Sequence, residues 1–321
     1  MLKTAFTDLV GCSVPVQGAP ITSRAEFIAA VATAGALPMM GTGTEPPAAA
    51  VLVERVRAVR ELTPEPFGVN FLVPFLDRSA IAAIASSVRV VEFFFGEPDP
   101  ALVDLGHDGG ALVCWQVGSP GEAMAAMEAG CDFIVVQGDE SGGHVRGRMG
   151  LLPLLGEVVP RVEVPVVAAG TIGTGADMAA ALTAGADAVR IGTLLVASNE
   201  SLAHPLYKEA LVAADAEDTV LTEAFDREWP EAPHRVLRTS LEAATRFDGE
   251  VVAENVIGDL RTPVHRFSTA PPSVYAEGAV EAMALYAGES VAGIREIQPV
   301  AHIVRQLCEE AGRLLDASDD A

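Results

Sequence analysis

Lysine is almost missing from this chain. Of 321 residues only Lys3 and Lys208 are lysines, and the formal net charge is −23. A surface of that sign repels nucleic acid and anionic membrane, which excludes both as partners, and mainly confers solubility. Cysteine is scarce too. Cys12, Cys114, Cys131 and Cys308 are scattered, with no Cys-x-x-Cys and no metal-ligand spacing. That pattern excludes a disulfide framework and a zinc site and points to reduced core thiols in a cytoplasmic protein. No apolar run reaches the eighteen or so residues of a membrane helix. Lys3 followed by Asp8, with no long apolar stretch, does not read as a secretory leader. Composition fixes no oligomeric state.

What is present is apolar. Half of the residues are hydrophobic, enough for a large core. Val-rich runs alternate with Ala-rich helical runs. The expected strands are 14–20, 36–43, 67–73, 89–96, 111–117, 132–138, 164–170 and 187–193. Helices are expected over about 24–34, 47–62, 151–160 and 174–184, with Asp77, Ser119 and Thr174 placed as N-caps. Eight near-continuous apolar strands alternating with helices is the pattern of an α/β (β/α)₈ barrel of parallel strands buried on both faces. A doubly wound open sheet is the alternative. The strand count favours the barrel, and Gly170-Thr171-Ile172-Gly173-Thr174-Gly175 lacks the spacing of a dinucleotide fingerprint.

The rhythm changes after Thr193. Residues 205–290 are richer in charge and proline, and read as an inserted smaller lid domain. The expected organisation is a barrel over 1–204, the lid over 205–290, and a C-terminal helix over 291–321 that returns to the barrel.

Two stretches carry chemistry. Residues 132–138 end in Gln137-Gly138-Asp139-Glu140-Ser141-Gly142-Gly143-His144. Paired glycines let backbone approach a flat ligand, and histidine moves protons near neutral pH; a plain glycine turn with a surface histidine is the alternative. The second is the pair of strand ends Ala168-Ala169-Gly170-Thr171-Ile172-Gly173 and Arg190-Ile191-Gly192-Thr193. In such barrels the loops after strands seven and eight commonly form a phosphate site. Gly170, Gly173, Gly192 and Thr193 are therefore the candidate phosphate cradle. Asn70 and Gln137 end strands on the same rim, where each amide either meets a polar ring edge or satisfies the local backbone. Gly18-Ala19-Pro20 after the first strand leaves room for a planar ring.

These residues resemble the nitronate monooxygenase family, once called 2-nitropropane dioxygenases. The likeness runs through 17–20, 66–70, 92–96, 137–144, 168–175 and 191–193, and on through Glu200-Ser201, Tyr207-Lys208 and 287–290. It implies an FMN-dependent barrel with a lid, in which His144 is the catalytic base. It implies further that Ala19, Pro20, Asn70, Gln137, Gly142 and Gly143 lie near the flavin, and Gly170, Gly173, Gly192 and Thr193 at its phosphate. Ile21, Ser141, the extra Val145 and Leu194-Leu195 depart from the family pattern, and bear on the substrate rather than the flavin. The implied reaction is oxidation of a nitronate or nitroalkane by O₂ to a carbonyl compound and nitrite. The rival enzyme lets NAD(P)H reduce FMN and a quinone or enoyl thioester reoxidise it. The rival from another class is a phosphate-ligand-binding barrel without redox chemistry.

Overall fold

A computed structural model of the chain describes residues 2–319. Eight parallel strands close into a barrel: β1 (Val16–Gly18), β2 (Leu37–Gly41), β3 (Gly68–Leu72), β4 (Val90–Phe94), β5 (Leu112–Val117), β6 (Phe133–Gln137), β7 (Val166–Ala169) and β8 (Ala188–Ile191), with β8 paired back to β1. This is the expected (β/α)₈ barrel. Strands buried on both faces explain why these runs are apolar throughout rather than alternating. Val16, Val69, Val91, Val113 and Ile134 pack outward beneath the helices. Leu37, Met39, Val90, Phe133, Val135 and Val167 fill the interior.

A short helix not foreseen in the sequence, α1 (Ala5–Val10), plugs the N-terminal end. Its six residues are too few to show a period, but Thr4 and Thr7 cap it reciprocally. Phe6 enters the barrel and meets Phe133 edge-on at 5.4 Å. The outer helices are α2 (Ala25–Thr33), α3 (Ala49–Leu62), α4 (Arg78–Ile84), α5 (Pro100–Asp108), α6 (Pro120–Glu128), α7 (Leu151–Val158) and α8 (Gly175–Thr183). Asp77, Ser119 and Thr174 accept hydrogen bonds from the first-turn amides of Ser79, Glu122 and Asp177, as caps should. After the single-turn α9 (Thr193–Val196) come α10 (Pro205–Ala213), α11 (Arg238–Arg246) and finally α12 (Val300–Asp319), which packs against α8 and α2 and completes the outer ring.

Between α9 and α12 lie two small antiparallel sheets. β11 (Val251–Ile257) pairs with β12 (Leu260–His265) and β13 (Ala276–Gly278). The other sheet contains β9 (Thr219–Thr222) and β10 (His234–Leu237), and its third strand is Gly143–His144 from the barrel's own histidine loop, with His144 opposite His234. Phe225, Val236, Val252, Val264 and Met283 form a core of their own under these sheets. Among the described residues no helix is long and apolar enough to cross a membrane.

Candidate active site

Toward the C-terminal mouth the barrel interior changes from apolar to polar. Glu92 (β4) and Arg190 (β8) are both buried and form an ion pair. Arg190 also donates to Gln17 (Nη2–Oε1 2.8 Å; Nε–Oε1 3.1 Å) and to Gln116. Asn70 donates through Nδ2 to Glu92 Oε1 at 2.8 Å. One proton of the Asn70 amide is thus used within the protein. Glu92 and Arg190 were missed in the sequence, yet the signal was there. Each is a lone charge in an otherwise apolar strand, and such a charge is buried only with a partner.

The histidine loop is built from three constraints. Gln137 donates from Nε2 to the His144 carbonyl at 2.9 Å, and its Oε1 accepts from Arg146 N at 3.4 Å. Its side chain therefore ties the loop to the end of β6. Gly142 lies against the chain at Ala287-Gly288, where a Cβ would come within 2.4 Å of Gly288 N. Gly143 has φ +75°, a conformation that favours glycine.

The His144 ring is then surrounded by rings: Trp229 at 4.1 Å, His234 at 5.3 Å, Tyr286 at 5.8 Å and Phe95 at 6.1 Å between centroids. Its Nε2 is buried and has no hydrogen-bond partner among the described residues. Burial, and secondarily the neighbouring His234, push its pKa down from 6.5 to about 3. The imidazole is neutral through the physiological range. His234 accepts from Phe225 N at Nε2 (3.2 Å), which places its own proton on Nδ1 toward the Ala232 carbonyl at 2.8 Å.

The glycine loops meet the segment 287–293. Thr193 Oγ1 accepts from Gly288 N at 3.1 Å. A Cβ on Gly173 would stand 2.6 Å from Ser290 O, and one on Gly192 3.2 Å from the Ala19 side chain. Gly170 faces Leu151 (3.2 Å) and the Glu140 carboxylate (3.6 Å) in the same sense, and the Pro20 carbonyl closes on Gly41. The Gly173 and Thr174 amides donate to Asp177 Oδ2 at 3.1 and 2.8 Å, and Gly175 N donates to Glu310. The N-terminus of α8 already holds carboxylates, so Gly173 offers close approach, not a free donor. The amides of Thr171, Ile172, Thr193 and Leu194 have no protein acceptor among the described residues, as first-turn and loop amides facing an anion should.

The rim of this parallel barrel thus gathers backbone amides without a protein acceptor among the described residues and a buried histidine. The chain belongs to the nitronate monooxygenase family, whose model matches residues 3–85 and 75–310. A carboxyl-CoA dehydrogenase of Rhodococcus jostii, named for a hydroxy-methyl-oxo-octahydroindene substrate, is 32% identical over 254 residues, 78% of this chain and 70% of that protein. A probable nitronate monooxygenase of Staphylococcus aureus is 25% identical over 316 residues, 82% and 86% of the two chains. Among solved structures, FabK from Thermotoga maritima superposes with TM-score 0.81 at 29% identity, covering 100% of this chain and 99% of that one. Nitroalkane oxidase from Streptomyces ansochromogenes gives 0.79 at 29% identity over 98% and 99%. The chain is accordingly a flavin-dependent oxidoreductase of this family.

Proposed function

We propose that this chain is an FMN enzyme that oxidises alkyl nitronates or nitroalkanes with O₂, giving a carbonyl compound and nitrite. The observation that carries the reading is the buried, unpartnered Nε2 of His144 at the barrel's rim. A buried ring nitrogen left without a partner costs free energy unless a ligand atom completes it. The residues present fit FMN. The amides of Thr171, Ile172, Thr193 and Leu194 would take the phosphate, with Gly170, Gly173 and Gly192 permitting the approach. Ala19, Pro20, Asn70, Gln137, Gly142 and Gly143 would border the isoalloxazine. When bound, the flavin supplies the electron acceptor that passes reducing equivalents to O₂. His144 then either takes the α-proton of a nitroalkane at an unprotonated Nε2 or, in its Nε2–H tautomer, donates from that nitrogen to a nitronate oxygen. Residues 205–290 would act as a lid, which is supported by the sheet they share with Gly143–His144. Four free cysteines, three of them buried, support a cytoplasmic location.

The second reading is a reductase in which NAD(P)H reduces the flavin and a thioester or quinone reoxidises it. The Rhodococcus relative, a dehydrogenase of a carboxyl-CoA compound, favours it. The test is direct. The chromophore released on denaturation is expected to be FMN, and O₂ uptake with nitrite release is expected on adding propyl-2-nitronate. Rapid anaerobic bleaching by NADH, without nitrite release in the aerobic assay, transfers the protein to the reductase reading. A colourless protein that FMN cannot reconstitute overturns both.

A further inference from the structure

Trp229 lies in the loop 223–233 between β9 and β10. Its indole covers one face of the His144 ring, with centroids 4.1 Å apart and planes 28° apart. The same indole meets Phe75, from the turn after β3, at 5.1 Å, and Phe95, just after β4, at 4.6 Å, both edge-on. It is 5% exposed. The backbone around it is fixed by stronger means. The neighbouring Glu228 carboxylate accepts from Thr269 N at 2.7 Å, Thr269 Oγ1 at 3.0 Å and Ser268 Oγ at 3.1 Å. Phe225 N is bound to His234. The loop is thus anchored by hydrogen bonds, whereas the indole is gripped by three rings through weaker aromatic contacts. Another flat group of similar size can replace a grip of that kind.

Phe95 adds a second, independent mark. Among the described residues it is one of three non-glycine residues at positive φ, +64°, a conformation that persists where the surroundings enforce it. That backbone twist is what turns the Phe95 ring toward both Trp229 and His144. The slot wall is electrically quiet. Arg146 is 5.8 Å from the Phe95 ring centre but is paired with Glu97 and Glu122. The titratable groups facing His144 are His234 from β10 and the Tyr286 phenol, whose hydroxyl donates to the Thr269 carbonyl at 2.9 Å.

We propose that Trp229 determines substrate choice: its indole fills a slot walled by Phe75, Phe95 and His144 that a planar, uncharged group of the substrate takes over in turnover. The proposal rests on the reading of His144 as the residue that faces substrate. It makes Trp229 a specificity residue, and it couples the occupant of the slot to the solvation of the His144 ring.

The test compares flavin-loaded wild type with Trp229→Ala and Trp229→Leu, the second keeping apolar bulk without a stacking face. Two neutral ketones serve as probes, acetophenone and cyclohexyl methyl ketone, which share a polar group and differ in planarity. Binding is followed by calorimetry. In wild type it is followed also by tryptophan emission, since Trp115 and Trp229 are the two tryptophans. Acetophenone is expected to perturb the Trp229 emission and to bind about tenfold more tightly than the cyclohexyl ketone, a difference of about 1.4 kcal/mol. Trp229→Ala is expected to bind acetophenone about tenfold more tightly again, because nothing need be displaced, with Trp229→Leu between. In Trp229→Ala, water reaching the ring is expected to move the His144 titration, read by NMR and assigned with His144→Gln, upward toward the ordinary histidine range. Equal affinities for both ketones in all three proteins, or a His144 titration indifferent to Trp229→Ala, overturns the proposal. Neither measurement uses turnover. Absence of nitrite release with these results intact counts against the nitronate reading alone.

Discussion

Gly173 and Ser290 lie in such close apposition that a Cβ on the glycine would stand 2.6 Å from the serine's carbonyl oxygen. This contact joins the loop after β7 to the segment 287–293, and the same segment donates a hydrogen bond from Gly288 N to Thr193 Oγ1 and touches Gly142. Three loops that the chain order keeps far apart are locked through one strap.

The first prediction concerns that lock. Both atoms nearest the missing Cβ are backbone, so neither can swing aside. Gly173→Ala is expected to cost roughly 1–3 kcal/mol in thermal unfolding, the usual cost of overpacking. Gly173→Asp adds a carboxylate beside Asp177, which already accepts from the Gly173 amide, and is expected to abolish flavin retention as well. A folded Gly173→Asp protein with a full complement of flavin would place the phosphate elsewhere.

The second concerns His144. With its pKa pushed down to about 3, the wild-type rate on a nitronate is expected to be flat in pH from about 5 to 9 with respect to this group. His144→Ala is expected to lose roughly 10²- to 10⁴-fold on a nitroalkane, which needs a base, and far less on the nitronate, which has already lost its proton. Equal rates of variant and wild type on the nitroalkane would remove His144 from the mechanism.

The same group makes a stability prediction with a fixed sign. The folded pKa lies below the unfolded value of about 6.5, so the unfolded chain binds more protons between the two. The contribution is fully present above pH 6.5 and is lost as pH falls toward about 3. His144→Ala is expected to flatten the fall in unfolding free energy over that window. Parallel stability curves for the two proteins would contradict the burial of a neutral ring.

The fourth concerns the ion pair in the barrel mouth. Arg190→Met leaves Glu92 buried without its cation and is expected to destabilise by about 3–5 kcal/mol in urea unfolding. Adding Glu92→Gln to Arg190→Met is expected to recover a large part of that loss, because the cost is the orphaned charge. A double variant no better than the single one would mean that the network stabilises by geometry instead.

The fifth is a control at the other end of the barrel. Phe6 is fully buried against Phe133, and Phe6→Ala is expected to cost about 3–5 kcal/mol while leaving the flavin content of the folded protein unchanged.

The eight strands and the helix caps Asp77, Ser119 and Thr174 were legible in the sequence because parallel strands buried on both faces need unbroken apolar runs, and because a cap is a local bond. Val90-Val91-Glu92-Phe93-Phe94 shows both the strength and the limit of such reading. The run announced a strand, and its one charge announced a buried partner, but nothing local could name Arg190, 98 positions away. The tertiary structure alone decided that pairing. It also decided that Gln137 holds the His144 carbonyl, that Asp177 occupies the amides of Gly173 and Thr174, and that Trp229 covers His144. Each depends on which side chains converge once the barrel has closed. Periodicity records the face a residue turns to the core; it holds no information on what stands opposite across the mouth. For the same reason the sequence could supply a histidine and its glycines, while the neutrality of that histidine had to await the rings that enclose it.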